Sequence, residues 1–184
     1  MTFRNTVLAL AFAWGTSLAH AGAFTLSSPT VKAGATLGNE QVFNGFGCSG
    51  GNVSPALKWS GAPNGTQSFA ITVYDPDAPT GSGWWHWVVY NLPADARELP
   101  AHAGDADGKL LPAGSVQGRT DFGAPGFGGA CPPVGDKPHR YIFTVHALKV
   151  PKIEVPADAS AALVGFMINA NRLGKASFTA KYGR

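Results

Sequence analysis

The side chains best suited to chemistry in this sequence are two histidines, His86 and His139, one carboxylate, Asp75, and one cysteine, Cys131. Asp75 opens the stretch DPDAPTGSGWWHWVVYNLP, residues 75–93, and His86 lies in its aromatic run. A second stretch repeats the design: a Gly-rich loop, Pro132-Pro133 and His139 come just before an apolar run. A carboxylate beside an imidazole orients the ring and favours its charged form, so Asp75 with both histidines makes a cationic site suited to an anion. Loop 126–131 adds backbone N–H groups as an anion nest, while Pro132 and Pro133 bring stiffness and no donor. Each group also has a plain structural reading. A strand-end His can be satisfied by its neighbours, Asp75 can cap its own turn, Asp77 does no more than that, and Trp84, Trp85 and Trp87 can be packing.

Two catalytic arrangements compete with the anion site. Cys131 with His139 would be a nucleophile and its base, and Asp75, His86 and His139 would be a two-His, one-carboxylate metal set. The sequence contains no GxSxG, HExxH or Walker loop. The reading adopted therefore has no catalytic residue, no metal and no cofactor. Of the other histidines, His20 precedes the folded part, His102 sits in a polar stretch, and His146 lies seven residues past His139, on the opposite face of one strand.

Elements must bring these residues together. Pro76 and Pro79 fix φ and withhold two donors, so DPDAP forms a stiff corner between strands over 67–74 and 85–92. Further strands are expected over 23–27, 36–43, 56–60, 139–148 and, briefly, 114–120, with a polar surface excursion over 95–114. Near the C-terminus the period changes: Leu163, Phe166, Met167, Ala170 and Leu173 predict one helix packing that stripe on a sheet, capped by Asp158 or Ser160 and closed by Gly174. Phe178, Ala180 and Tyr182 then alternate with polar residues as a last strand. Short strands joined by many turns, in a chain with 24 Gly and 14 Pro, indicate a mainly β class and a sandwich.

The chain of 184 residues suits one domain. Its net charge of +3 is scattered without a basic run, which argues against nucleic acid as a partner. Arg4, the apolar stretch 6–18 and Ala19-His20-Ala21 read as a signal peptide over 1–21, removed to leave 22–184. That stretch is too short for a convincing membrane span, so the mature chain is expected to be periplasmic or secreted. Cys48 and Cys131 are then either one disulfide or, for Cys131, a free thiol beside the site.

At DPDAP, GWWHWVVYNLP and CPPVGDKPHRY the sequence resembles the phosphatidylethanolamine-binding protein family. The likeness is to its bacterial YbhB/YbcL, or Raf kinase inhibitor-like, branch, nearest the exported YbcL-type members. It runs from NVSPALKWSGAP (52–63) through QGRTDFG (117–123) to the C-terminal helix. The resemblance implies two antiparallel sheets packed as a sandwich, with a small end pocket for phosphate, phosphoryl head groups or similar anions. By motif the pocket takes Asp75, Pro79, Trp84, His86, Pro132, Pro133 and His139, with Ala130 and Cys131 from the CPP segment beside it. Two positions depart from the pattern: Trp85 stands where eukaryotic members commonly carry a second His, and Ala130 where many carry Pro. Both bear on pocket shape and ligand choice. The expected role is binding of a small phosphoryl-type anion, used directly or to recognise a protein partner or modulate signalling. The alternatives are a pocket-based hydrolase or metal-dependent enzyme, and a protease-inhibitor-like interaction protein.

Overall fold

The structure, a computed structural model, describes residues 22–184, so the expected leader lies outside the described residues. Its strands in chain order are β1 (Thr25–Ser27), β2 (Asn44–Gly45), β3 (Cys48–Ser49), β4 (Leu57–Ser60), β5 (Ser68–Asp75), β6 (Trp84–Pro93), β7 (Glu98–Leu99), β8 (Val116–Gln117), β9 (His139–Leu148) and β10 (Arg172–Tyr182). One α-helix, α1 (Ala161–Asn171), lies between β9 and β10. A five-stranded antiparallel sheet has the order β10-β9-β5-β6-β8, and a three-stranded sheet has the order β1-β4-β7. Strands β2 and β3 form a separate hairpin.

The apolar alternation explains the layering. On β5, Phe69, Ile71 and Val73 face the small sheet and pack with Leu57, Trp59 and Leu26, together with Phe143, Val145 and Phe178 of the neighbouring strands. Ala70 faces the other way, and with Val88, Leu148, Val164 and Ile168 it forms a second apolar layer beneath α1. The large sheet is thus covered on both faces, which is why β5 and β9 are buried along nearly their whole length.

Three local expectations are corrected. Residues 36–43 do not form a strand; the segment turns through a 3-10 helix at Asn39–Gln41 and is bonded by loops on either side. Phe43 N donates to Ala130 O, Ala130 N to Gln41 O, Gly50 N to Phe43 O and Asn52 N to Val42 O. The helix starts where expected, with Ser160 Oγ accepting from Leu163 N at 3.2 Å. It buries Ala161, Val164, Gly165 and Ile168, however, and leaves Leu163 and Phe166 exposed, while Leu173 falls beyond its end, exposed on β10. The sequence AALVGFMINAN is apolar on nearly all sides, so periodicity alone could not choose a face. Close approach did: a Cβ on Gly165 would stand 3.3 Å from the Trp85 ring. The helix also ends at Asn171, with Arg172 already extended. Gly174 is not its cap but lies at an irregularity in the β9–β10 register, where a Cβ would meet Pro63 at 2.8 Å. The short strand expected over 114–120 is limited to Val116–Gln117.

Candidate functional site

β5, β6 and β9 end at the same edge of the large sheet, and that edge carries Asp75, Trp84, His86 and His139. Simple alternation would put His86 and Trp87 on opposite faces. The register prevents this: Val73 pairs with Trp87 and Tyr74 with Trp85, which leaves His86 as the extra residue of a β-bulge. Trp87 therefore joins the sandwich core while His86 lines a cavity at its end.

That cavity encloses about 170 Å³. Asp75, Pro79, Trp84, His86, Cys131, Pro132, Pro133 and His139 all line it, together with Phe46, Ala78, Thr80, Phe122 and Tyr141. Ala130, expected among them, does not. It is buried behind the wall, pairing with the 41–43 segment. Cys131 is joined to Cys48 in a disulfide with Cα atoms 6.0 Å apart, and no described cysteine is free. This removes the nucleophile reading of Cys131. The hairpin of β2 and β3 turns through Phe46 and Gly47, both at positive φ, and the disulfide anchors it beside the cavity. Arg184 braces the same wall, donating through Nε to Pro132 O at 2.7 Å and through Nη1 to Gly47 O at 2.9 Å.

The two histidines differ. His139 Nδ1 donates to Asp75 Oδ2 at 2.7 Å, and its Nε2 lies 3.3 Å from Asp136 Oδ2. Asp75 is held in turn by Asp77 N, 2.8 Å from Oδ1. Both ring nitrogens of His139 are thus engaged by carboxylates. His86 does not bond Asp75; its Nδ1 donates to Gly128 O at 2.7 Å. Burial holds the His86 pKa below the ordinary histidine value, although the Gly128 carbonyl and the Asp75 charge act the other way. The expectation that Asp75 keeps both imidazoles cationic is therefore corrected for His86. With Nδ1–H committed to a carbonyl, its neutral ring has Nε2 as the acceptor.

The anion nest is corrected as well. Phe127 N donates to Gly104 O, Gly128 N to His86 O, Gly129 N to Asn52 Oδ1 and Ala130 N to Gln41 O, so these four consecutive amides of the loop are spent on the fold. Its glycines answer to crowding: a Cβ on Gly128 would stand 2.2 Å from Phe122, and one on Gly129 would stand 2.4 Å from Gln41 O.

Free donors come from elsewhere. Trp84 and Tyr141 line the cavity, and their polar atoms, Nε1 and Oη, are buried with no hydrogen-bond partner. Burial raises the Tyr141 pKa, so the phenol keeps its proton and remains a donor. Aromatic contacts hold the set in place: His86 meets Tyr141 and Phe122 edge-on at 5.0 and 5.3 Å, and Trp84 meets Phe122 edge-on at 5.4 Å. Among the described residues no cluster of His, Cys, Asp and Glu is arranged to hold a metal ion.

A family model, phosphatidylethanolamine-binding protein, matches residues 27–183. The chain belongs to this family. It is 56% identical to the UPF0098 protein YbcL of Escherichia coli K12 over 179 residues, 97% of this chain and 98% of that protein. It is 53% identical to YbhB of the same organism over 157 residues, 85% of this chain and 98% of YbhB. The crystal structure of E. coli YbcL, described as a new member of the mammalian PEBP family, matches with a TM-score of 0.86 at 60% identity, covering 88% of this chain and 98% of that one. The fold is thus the phosphatidylethanolamine-binding protein fold.

In this family member, sequence reasoning missed five lining residues. Tyr141 carried a signal, since its place two residues after His139 puts it on the same face of β9. Ala78 and Thr80 belong to the DPDAPT corner itself. Phe122 lies in QGRTDFG, a segment noted without a role. Only Phe46 had no signal, since a Phe at positive φ in a hairpin tip follows from the disulfide and the Arg184 contacts. Asp77 does more than cap its turn: it accepts from Arg140 Nε at 2.9 Å and Nη2 at 2.7 Å, tying the corner to the start of β9.

Proposed function

We propose that this chain is a non-enzymatic binding protein whose end pocket takes a small phosphoryl-type anion, exported and acting outside the cytoplasm. The observation that carries the reading is the pair of unpartnered buried donors, Trp84 Nε1 and Tyr141 Oη, in a cavity of about 170 Å³ walled by Pro79, Pro132, Pro133, Phe46 and Phe122. A buried donor left unpaired costs about 1–3 kcal/mol, and an acceptor-rich oxyanion relieves two at once. His86 completes the site by taking a proton when the anion binds. Asp75 and His139 brace each other and the floor, so the donors do not depend on a surplus of histidine charge.

Export rests on the sequence of residues 1–21, on the Cys48–Cys131 disulfide, which persists in oxidising compartments, and on the likeness to the exported YbcL-type branch. Residues 22–184 are then one mature domain. A phosphoryl ligand can be an end in itself or the contact through which a protein partner or a signalling role is served. Two of the groups a hydrolytic reading would use are engaged, which favours binding over hydrolysis: Cys131 is in the disulfide, and both His139 nitrogens face carboxylates.

Calorimetry with inorganic phosphate and with methanesulfonate tests the pocket. Charge-assisted hydrogen bonds are worth about 1.5–3 kcal/mol, so His86→Ala and Tyr141→Phe should each weaken binding roughly ten- to a hundredfold. Tyr141→Phe is the decisive variant, because loss of an unpartnered hydroxyl does not destabilise the fold. If it binds both anions as tightly as the parent protein, the proposed donor set is wrong.

A further inference from the structure

A second cavity lies on the opposite face of the large sheet, between β5, β9 and β10 and the underside of α1, and encloses about 220 Å³. At about 30 Å³ per water it has room for roughly seven waters, enough for a ring-sized organic body. His146 lines it and is only 7% exposed. Its Nε2 lies 3.0 Å from Thr72 Oγ1, while its Nδ1 is buried with no partner. A buried ring nitrogen without a partner is costly in either tautomer.

Arg172 and Lys175, from the start of β10, line the same cavity. Neither forms an ion pair among the described residues, and Arg172 has one side-chain hydrogen bond, from Nη1 to Asn169 Oδ1 of α1. No Asp or Glu lines the cavity. The titratable groups facing it are Tyr74 from β5, whose hydroxyl donates to Ser82 O, His146 from β9, and Arg172 and Lys175 from β10; β6 and α1 contribute none. Burial and then the two cations push His146 down to about 3, so at neutral pH its ring is neutral and both cations remain uncompensated. Trp85 and Ile168 supply apolar walls.

We propose that this cavity is a second ligand site, taking a small organic carboxylate with a short apolar or aromatic body. The carboxylate sits between Arg172 and Lys175, and the body lies against Trp85 and Ile168. Thr72 Oγ1–H donating to Nε2 sets the His146 tautomer with its proton on Nδ1, the donor that a carboxylate oxygen accepts. This site shares no lining residue with the pocket of Asp75 and His86, so it stands or falls independently of that pocket's function.

The test is a titration of isotope-labelled protein with benzoate at ~150 mM salt, where exposed charge pairing is largely screened, read at the His146 ring by NMR. The expected result is a saturable shift of His146, a rise of its pKa with benzoate bound, and a roughly tenfold loss of affinity in both Lys175→Gln and Arg172→Gln. Lys175 is exposed, so its variant leaves the core untouched. Benzyl alcohol, which has the body without the charge, should bind at least tenfold more weakly. The proposal is overturned if His146 does not respond, if chloride reproduces the response, or if Lys175→Gln leaves affinity unchanged. It is equally overturned if His86→Ala abolishes the effect, since benzoate would then be bound in the other pocket.

Discussion

His86 and His139 both stand at strand ends, yet their surroundings give them different chemistry. His139 is bracketed by Asp75 and Asp136 and serves as a brace, whereas His86 is fixed by a backbone carbonyl and held neutral by burial. A bound anion raises the pKa of the ring, so sulfonate affinity should rise as pH falls through the raised value and level off only below the free one, which burial holds under the ordinary histidine pKa of about 6.5. Methanesulfonate keeps its charge over this range, which makes the protein the titrating partner. Affinity that stays constant from pH 7 to 4 would remove His86 from the binding reaction. Asp77 gives a second pH signature. The Arg140 hydrogen bonds lower its pKa to about 2, from 3.8, so it contributes stability that is present above the unfolded value and lost as pH falls through the folded one. The pair is partly exposed, with side chains 31% and 53% accessible, so Asp77→Asn should cost about 1 kcal/mol at pH 7. Urea midpoints of parent and variant should converge between pH 4 and 2.

Elements meet at the site through irregularities. The bulge in β6 turns His86 to the same side as Trp87, and the glycine loop presses its backbone against the 41–43 segment so that Pro132 and Pro133 can close the wall. Gly129 is the tightest point of that contact. A Cβ there would meet backbone atoms only, Gln41 O at 2.4 Å and Phe43 N at 2.6 Å, and backbone cannot swing aside as a side chain does. Gly129→Ala should therefore destabilise by about 1–3 kcal/mol in denaturant titration, the range of other overpacking substitutions, and should weaken anion binding by displacing the wall. Gly123→Ala is the contrast: that site is open but at φ +88, so its cost comes from the backbone alone and anion affinity should hold.

At the scale of the molecule, the hairpin of β2 and β3 is tied across a separation of 83 residues by the Cys48–Cys131 disulfide. Closing such a loop stabilises a fold by roughly 4–5 kcal/mol in the chain-entropy model. The double variant Cys48→Ser, Cys131→Ser should lose a comparable amount of unfolding free energy. It should also bind anions more weakly, because Phe46 belongs to the hairpin the bond anchors. Export is checked on protein recovered from the periplasm of an expressing bacterium. Its intact mass should correspond to a chain beginning at Gly22, with no thiol alkylated unless reductant is added. A full-length mass refutes cleavage, and two alkylated cysteines refute the bond in that compartment.

The sequence by itself determined the β class, the corner at DPDAP, the strand from His139 to Leu148 and the set of residues at one sheet edge, because each follows from local rules of alternation and proline geometry. Family resemblance in three motifs added the pairing of those edges into a pocket. Tertiary structure alone decided how the residues are used. Whether an imidazole faces a carboxylate or a carbonyl, and whether a loop amide is free or spent on Gln41 and Asn52, depends on partners more than forty residues away. The helix face was likewise out of reach, since α1 is apolar nearly all round and the buried side is the one that meets Trp85, Val88 and Leu148 of the sheet. Trp84 reads as packing from its type and joins the pocket only through the family resemblance, while Tyr141 reads only as sharing a strand face with His139. They are donors because the fold buries their polar atoms at the cavity without giving them a partner.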